Sequence, residues 1–345
     1  MVLRDRNHPS VIFWSLGNES RNGENFYYCR EAIRNLDDRM VHYEGQQADG
    51  FPNSDFTSKM YPYENDLVRM DNWSDERPHF ICEYAHSMGQ SLGNFADYWD
   101  FFENSRRTIG GCIWDFADQA IYHPQEIKNG TYKKGRWYTG YDFPGPHQGN
   151  FMSNGIVDPE RNVSQKLIEV KKVHQWIRVK SYNEKTNQIT LENKYNFTDL
   201  SEFDMRWTLS RNGVDVETAT VAVNSTAPGA TSIVKPEFTP IDPDDTAEYL
   251  LTLEFLTTKA TDWAPAGHVV ASEQLTIRER AALSDIDTAT LEKNLVTTGN
   301  GPVKVSGKGF AYTFDGNGSL ISMKVNGVEL IYNGNGLAFD DFRCI

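Results

Sequence analysis

Two glutamates, Glu19 and Glu83, each follow a short apolar run, a position from which a carboxylate can do chemistry. Glu19 comes after Val11–Leu16, and Glu83 comes after His79–Cys82. Burying an unpaired charge is costly, so a carboxylate at the end of a buried strand needs a functional reason. A single one is typical of a solvated loop or a helix cap. Two in one chain indicate a paired acid and nucleophile for glycoside cleavage.

Three polar residues near these glutamates could assist such a reaction. Asn18 precedes Glu19 and could hydrogen-bond a sugar hydroxyl, while Tyr61 could hold the nucleophilic carboxylate. His86 lies three residues after Glu83 and could reach a hydroxyl or a metal ion. For His86 alone, a structural histidine is an equal alternative.

The elements that must position these residues form an alternation of strand and helix over residues 1–177. Short apolar strands of this kind predict a parallel sheet, and a (β/α)8 barrel places reactive residues at the carboxyl ends of its strands. Only five strands can be counted. We therefore expect either an open five-stranded sheet or about strands 4–8 of a barrel in a fragment of a longer protein, and we favour the fragment, because a barrel that lacks strands would expose a sheet edge. The predicted strands are Val11–Leu16, Met40–Glu44, Ser58–Tyr61, Phe80–Tyr84 and Gly111–Trp114, and the predicted helices are Asn25–Leu36, Asn94–Ser105 and Lys166–Ile177.

After residue 177 the pattern changes to alternating strands and turns, so the fold class is multidomain α/β plus all-β. Residues 178–279 are typical of an immunoglobulin-like β-sandwich, with Asn212-Gly213 as a hairpin turn and Trp207 and Trp263 in a core or an interface. Residues 280–345 predict the beginning of a further, C-terminal β-sandwich domain, truncated after about sixty residues. The strands expected in these parts are Gln188–Lys194, Phe203–Arg211, Glu217–Val223, Ala247–Phe255, Ser272–Ile277, Val303–Ser306, Phe310–Phe314, Leu320–Val325 and Val328–Tyr332.

Composition limits the classes of partner. A net charge of −14 over 345 residues argues against nucleic acid and anionic membranes as partners. No stretch is long and apolar enough to predict a membrane-spanning helix. The four cysteines are widely spaced, which favours buried free thiols over disulfides or a zinc site. Aromatic residues make up 12% of the chain, which suits a sugar site or a large core.

Several motifs resemble those of glycoside hydrolases of family 2, in the β-galactosidase branch. Asn7–Ser20 and Cys82–Phe95 resemble the two signature stretches of that family. Gly110–Gln119 resembles the stretch after the last barrel strand, and Met60–Pro62 and Asn150–Gly155 also correspond. The motifs keep the family's order along nearly the whole chain, and His-Ser-Met-Gly after Tyr84-Ala85 favours a galactoside over a glucuronide.

The resemblance implies the catalytic roles. Glu19 would be the acid/base and also a ligand of a magnesium ion, and Glu83 would be the nucleophile. Asn18 and Glu83 would contact the sugar 2-hydroxyl. Tyr61 would hydrogen-bond the nucleophile.

Four further residues take roles from the same resemblance. His86 would reach the region of the sugar 6-hydroxyl, and Trp114 would form an apolar floor, with barrel core as its alternative. Phe151, through its carbonyl, and Asn154 would lie at a sodium site, although Asn154-Gly155 could also be a simple turn.

The chain departs from the family pattern beside the site. Gln90 stands where the family usually has Asn, and Arg21-Asn22 replaces smaller residues, which puts substrate detail in doubt more than mechanism. The family's other magnesium ligands, a nucleophile-binding arginine and a sodium-binding aspartate come from segments that precede this one. We therefore expect this chain alone to be inactive.

The resulting expectation is a retaining β-galactosidase that hydrolyses terminal β-D-galactosides such as lactose, with magnesium and sodium as cofactors. The full-length enzyme would be a cytoplasmic homo-oligomer, with the periplasm as the alternative compartment. Two other hypotheses stay open: a truncated carbohydrate-binding fragment without chemistry, and the same enzyme class acting on another β-glycoside such as a glucuronide or a mannoside.

Overall fold

The computed structural model describes residues 1–45, 53–72, 74–282, 296–334 and 336–337. The chain divides into two compact units, Met1–Glu279 and Arg280–Ile345. In the first unit a segment that mixes helices and strands is followed by a segment made of strands, as the change in sequence pattern predicts.

The mixed segment alternates strands with helices. Its strands are short and its helices are amphipathic, so each helix can cover one face of a sheet. Their order confirms the predicted α/β alternation. The elements are α1 (Val2–Asp5), β1 (Trp14–Ser15), α2 (Glu24–Arg34), β2 (Val41–His42), β3 (Thr57–Met60), α3 (Glu64–Asp71), β4 (His79–Tyr84), α4 (Phe95–Asn104), β5 (Thr108–Ile113), α5 (Pro124–Asn129) and α6 (Gln165–Val173).

All strand pairs in this segment are parallel. β1 pairs with β2, and β3, β4 and β5 form a three-stranded sheet with β4 in the centre. Parallel neighbours present their carboxyl ends at the same edge of the sheet, so the residues that follow β3, β4 and β5 meet there.

A buried histidine joins the two parallel sheets. His42 of β2 shares a hydrogen bond of 3.0 Å between its Nδ1 and Ser15 Oγ, and one of 2.9 Å between its Nε2 and Ser58 Oγ. Its ring also contacts Phe56 and Phe80 at centroid distances of 6.1 and 5.3 Å. β1, β2 and β3 are therefore linked through one side chain.

Helices cover the outside of the central sheet. Ile81 and Tyr84 of β4 are buried against Phe95 and Phe102 of α4 and Val170 of α6. Full burial of an apolar side chain of this size contributes about 1.5–3 kcal/mol, so this contact holds both helices on the sheet.

Several element boundaries differ from the predictions. The predicted strand Val11–Leu16 is reduced to Trp14–Ser15, because β2 offers only two residues as partners before the chain turns away at Tyr43. Three helices, α1, α3 and α5, were not predicted, because each is short and carries few apolar residues at helical spacing.

The strand-only part of the first unit forms two antiparallel sheets, with strand orders β10-β7-β6 and β12-β11-β8-β9. The hairpin at Asn212-Gly213 is confirmed: both residues have positive φ angles, 48° and 79°, and they join Arg211 to Val214. The strands are β6 (Ile177–Asn183), β7 (Gln188–Asn193), β8 (Phe203–Arg211), β9 (Val214–Ala222), β10 (Thr231–Val234), β11 (Tyr249–Thr257) and β12 (Val269–Arg278).

One hydrophobic core lies between these two sheets. Trp207 is 2% exposed and belongs to it, as predicted. Trp263 does not lie in this core, because the residue is 68% exposed. Of the two positions expected for Trp263, the interface stays a prediction. The helix predicted over Lys166–Ile177 ends at Val173, since Ile177 is buried in this core as the first residue of β6.

The second unit contains one five-stranded antiparallel sheet among the residues that the structure describes. Asn326-Gly327, with φ angles of 49° and 83°, forms the predicted turn between Val325 and Val328. The strands are β13 (Val296–Thr298), β14 (Val303–Gly307), β15 (Phe310–Phe314), β16 (Leu320–Val325) and β17 (Val328–Glu329), of which β13 was not predicted.

The cysteines are partly as expected. Cys29, Cys82 and Cys112 are free thiols, but Cys29 and Cys112 are exposed, which corrects the expectation that they are buried. Cys112 lies on β5. Cys344 lies outside the described residues. In the described part of the chain, no helix is long and apolar enough to cross a membrane.

Two buried histidines predict a loss of stability in mild acid. Burial lowers the pKa of His42 and of His79 from 6.5 to about 4. As the pH falls from 6.5 towards 4 the unfolded chain takes up protons that the folded chain does not, so folding stability falls. We expect about 1–2 kcal/mol of loss per histidine between pH 7 and pH 5, measured by urea unfolding.

His42→Gln and His79→Gln should each flatten this pH dependence. The matched control is His8→Gln, since His8 is exposed. Equal slopes in all four proteins would contradict the assignment.

Candidate active site

The ends of β3 and β4 bring Tyr61 and Glu83 together. The Tyr61 hydroxyl donates a hydrogen bond of 2.7 Å to Glu83 Oε2, and the Tyr61 N–H donates to the Glu83 carbonyl at 2.8 Å. The register of β4 shifts at Cys82, so Met60 pairs with Glu83 and not with Cys82. A bulge of this kind re-aims the side chain that follows it, and here it turns Glu83 towards Tyr61.

Both predicted carboxylates act on the Tyr61 hydroxyl. Burial, the hydrogen bond to Glu83 and the charges of Glu83 and Glu19 all raise the pKa of Tyr61 far above its ordinary value. Tyr61 therefore stays protonated and donates to Glu83 at any working pH. The Glu19 charge is the smallest of these causes, so Glu19 lies near enough to Tyr61 for its charge to contribute.

The Glu19 loop is held by the end of β2. The Glu19 N–H donates to the Glu44 carboxylate, and the Glu19 backbone has a φ of 46°. The Tyr43 hydroxyl accepts from the Ser20 N–H at 3.2 Å and donates to the Arg21 carbonyl at 2.6 Å. These contacts hold a non-glycine residue in the left-handed region, a conformation that needs support from its surroundings.

Glu44 is a site residue that the sequence reasoning missed. It follows an apolar strand in the same way as Glu19 and Glu83, and this pattern could have found it. Its Oε1 accepts from Glu19, while its Oε2 is buried and has no hydrogen-bond partner in the described part of the chain. Glu44 thus holds the Glu19 loop through a hydrogen bond to its backbone.

Asn18 and Glu19 are both exposed at the tip of this loop. The Asn18 carbonyl accepts from the Ser20 hydroxyl at 2.8 Å, which tightens the tip. The two side chains are therefore free to meet a ligand from solvent.

His86 lies between two aromatic rings of the site. Its ring is 5.7 Å from that of Tyr61 and 5.8 Å from that of Phe151, with the latter pair stacked. Its Nδ1 accepts from the Met88 N–H at 3.5 Å, so in the tautomer that makes this contact the ring proton is on Nε2. His86 can therefore offer an N–H donor towards the site.

Trp114 is half-buried at the end of β5, and the peptide bond to Asp115 is cis. Its N–H donates to the Tyr84 carbonyl at 3.0 Å, and its carbonyl accepts from the Ser87 N–H at 2.7 Å. The segments that follow β4 and β5 are therefore joined next to Glu83 and His86.

Phe151 and Asn154 lie in a segment that contacts His86 and Asp115. Asn154 is 3% exposed, and its Nδ2 donates to the Phe151 carbonyl at 3.1 Å. The Asn154 carbonyl accepts from the Asp115 N–H at 2.7 Å, which ties this loop to Trp114-Asp115. Asn154 Oδ1 is buried and has no hydrogen-bond partner among the described residues. An orphaned amide oxygen is a ligand that a hard cation accepts, while the Phe151 carbonyl already accepts a hydrogen bond from Nδ2 of the same amide.

The departures from the family pattern lie at the margin of this arrangement. Gln90 is exposed, and Asn22 Oδ1 accepts from the Gly23 N–H at 2.9 Å. Within the described ranges, no group of three or more His, Cys, Asp or Glu side chains could hold a metal ion.

The sequence matches two family models. The model described as "Glycosyl hydrolases family 2, TIM barrel domain" matches residues 1–179, just over half of the chain. The model described as "Beta-galactosidase, domain 4" matches residues 189–278.

Curated proteins named beta-galactosidase are similar to most of this chain. One from Priestia megaterium (strain DSM 319 / IMG 1521) is 35% identical over 97% of the chain and 32% of its own length. One from Vibrio vulnificus (strain YJ016) is 37% identical over 82% of the chain and 28% of its own length. The chain thus spans about a third of the length of the curated relatives it matches.

A solved structure of a beta-glycosidase from Bacteroides vulgatus aligns with a TM-score of 0.37 and 13% identity, over 93% of this chain and 42% of that one. A Parabacteroides merdae Beta-Glucuronidase aligns with a TM-score of 0.36 and 13% identity, with the same coverage.

The Tyr43 hydroxyl should matter for stability, because it satisfies two backbone groups of the Glu19 loop. We expect Tyr43→Phe to lower the free energy of unfolding by about 1–3 kcal/mol, since two hydrogen bonds, to the Ser20 N–H and the Arg21 carbonyl, are lost. Urea unfolding measures the effect. The control Tyr28→Phe changes an exposed tyrosine and should stay within about 0.5 kcal/mol of wild type. Equal losses in the two variants would be inconsistent with a supporting role for Tyr43.

Proposed function

The chain belongs to family 2 of the glycosyl hydrolases, and we propose that it carries the two catalytic carboxylates of a retaining glycosidase that hydrolyses terminal β-D-galactosides. The observation that carries the proposal is the hydrogen bond from the Tyr61 hydroxyl to Glu83. The charge of Glu19 also contributes to the raised pKa of Tyr61. A paired acid and nucleophile is the arrangement that this reaction class needs.

We propose that residues 1–177 are the C-terminal part of a (β/α)8 barrel, about strands 4–8. The five parallel strands with their helices support this, as do the site residues at the strand ends. Residues 178–279 would be an immunoglobulin-like sandwich, which the two antiparallel sheets around one core support. Residues 280–345 would begin a further β-sandwich domain.

The first step forms a glycosyl-enzyme. A Glu83 carboxylate oxygen attacks C1 of the sugar, and the bond between C1 and the leaving oxygen breaks. The Glu19 carboxyl gives its proton to that oxygen, so a neutral alcohol leaves.

The second step releases the sugar. The Glu19 carboxylate takes a proton from water, the water oxygen bonds to C1, and the bond between C1 and Glu83 breaks. Two displacements at C1 retain the β configuration, and both glutamates return to their starting states.

Tyr61 orients the nucleophile in this scheme. Its hydroxyl occupies Oε2 of Glu83, which leaves Oε1 for the attack. Because the pKa of Tyr61 is strongly raised, it remains a donor and does not compete for the proton of Glu19.

The other site residues would bind the sugar. Asn18 and Glu83 contact the 2-hydroxyl, His86 reaches the 6-hydroxyl region, and Trp114 forms the apolar floor. The exposure of Asn18 and the Nε2 donor of His86 support these roles. The names of the curated relatives support a galactoside as the substrate.

Two cations belong to the proposal. The Phe151 carbonyl and Asn154 Oδ1 would hold a sodium ion, which would supply a fixed positive charge near the sugar. Magnesium would bind through Glu19. The described residues do not gather three ligands for it, so this part rests on the family resemblance and no step is derived through the ion.

We retain two alternatives from the sequence: a binding fragment without chemistry and a hydrolase for another β-glycoside such as a glucuronide. The protein would act as a cytoplasmic homo-oligomer, with the periplasm as the alternative compartment.

Covalent trapping tests the roles of the glutamates. A 2-deoxy-2-fluoro-β-D-galactoside with a dinitrophenyl leaving group should leave one fluorogalactosyl group on Glu83, found by peptide mass mapping. Glu83→Gln should remove the label, while Glu19→Gln should keep it, since this leaving group needs no acid. With poorer leaving groups, Glu19→Gln should lower kcat by roughly 10²–10⁴-fold.

The trap is applied to this chain and, in parallel, to the polypeptide encoded by the complete gene. A label on any other residue would overturn the assignment. Galactoside binding without any label in the complete protein would favour the binding-only alternative. Normal turnover of this chain alone, lost in Glu83→Gln, would contradict the expected inactivity.

A panel of aryl β-glycosides on the complete gene product decides the sugar. The galactoside should have a kcat/KM at least about a hundredfold above those of the glucuronide and the mannoside. The reason is that the wrong sugar leaves polar groups of the site without hydrogen-bond partners, which is costly. A higher kcat/KM for the glucuronide than for the galactoside would show that the alternative substrate is correct.

A further inference from the structure

Lys166 is the second residue of α6, and its side chain is half-buried. It donates to the Ser87 carbonyl and, at 2.8 Å, to the Gly155 carbonyl. Ser87 follows His86, and Gly155 follows Asn154. One side chain therefore binds the backbone of two loops that are 68 residues apart, each directly after a residue of the candidate site.

The environment of Lys166 shows that this contact is specific. Burial lowers the pKa of the Lys166 ammonium, while the charges of Asp118 and Asp115 act in the opposite direction. A partly buried cation is costly unless acceptors and negative charges surround it. The two carbonyls and the two nearby aspartates meet that need.

The two carbonyls belong to tightly held backbone. Ser87 is fully buried, and its N–H donates to the Trp114 carbonyl at 2.7 Å. The Gly155 N–H donates to Asp118 Oδ1 at 2.7 Å, and a Cβ on Gly155 would lie 2.1 Å from the Asp118 nitrogen. The ammonium of Lys166 therefore meets the segments that follow β4 and β5 and the Asn154 loop at one point.

We propose that Lys166 is a positioning residue of this site, which fixes the His86 loop and the Asn154 loop relative to each other by bridging the Ser87 and Gly155 carbonyls. The bridge itself does not depend on the proposed function. Its effect on the sugar does, because His86 and Asn154 act on the sugar only if that function is correct.

Helix α6 has other anchors, so the bridge is not needed to hold the helix. Ser164 accepts from the Leu167 N–H at 3.3 Å as a helix cap and also donates to the Ile156 carbonyl. Leu167 and Val170 are part of the hydrophobic core. Removing the ammonium should therefore loosen the two loops and leave α6 in place.

Hydrogen exchange of this chain, followed by mass spectrometry, tests the proposal without any need for activity. In Lys166→Met, amides in residues 85–88 and 152–156 should exchange at least about tenfold faster, while β8 and β11 keep their wild-type protection. Lys166→Arg should restore part of the protection. The control Lys171→Met, an exposed lysine of the same helix, should match wild type.

Unchanged exchange in both loops of Lys166→Met, or faster exchange throughout the chain, would overturn the proposal. If Lys166→Met fails to fold, acylation of wild-type lysines decides. Lys166 should react with an amine-specific reagent at least about tenfold more slowly than Lys171, and equal rates would refute the bridge.

A second readout applies to the complete gene product if it is active. The preference for an aryl β-D-galactoside over the 6-deoxy analogue should fall by roughly threefold in Lys166→Met but not in Lys171→Met, since the displaced His86 loop would lose its contact with the 6-hydroxyl. An unchanged preference together with faster loop exchange would show that the bridge orders the loops without positioning His86, which would overturn the positioning role.

Discussion

The site depends on one hydrogen bond, between the Tyr61 hydroxyl and Glu83 Oε2. It requires β3 and β4 to be parallel neighbours, and it requires the register shift at Cys82 that brings Glu83 opposite Met60. Tyr61 accepts a left-handed backbone with a φ of 44° to reach this place. The cost of such a conformation, of order 1–3 kcal/mol, is offset by the surrounding contacts.

Backbone hydrogen bonds extend from that pair across the edge of the sheet. The backbone N–H groups of Tyr61, Trp114 and Asp115 donate hydrogen bonds to the carbonyls of Glu83, Tyr84 and Asn154, respectively. Each strand end thus fixes the next one. This order follows from parallel pairing, because only parallel strands present all their carboxyl ends at one edge. The chemistry proposed here uses side chains that this chain of contacts holds in place.

The sequence allowed much of the β structure and the contact between Tyr61 and Glu83 to be predicted. An apolar run followed by a carboxylate suggested Glu19 and Glu83 as the reacting pair, which stays a proposal, and strict alternation predicted β8 (Phe203–Arg211) with its observed bounds. Glu44 was missed although it follows an apolar strand, while Lys166 was harder to find because it acts through contacts with segments that are distant in the chain. Pattern reasoning detects local periodicity and not such contacts.

In the proposed mechanism Glu19 and Glu83 work as acid/base and nucleophile in two successive displacements at C1. The most direct measurement is the configuration of the sugar first released from an aryl β-D-galactoside by the complete gene product, followed by proton NMR before mutarotation. The account predicts the β-anomer, because two displacements retain configuration. First release of the α-anomer would contradict it.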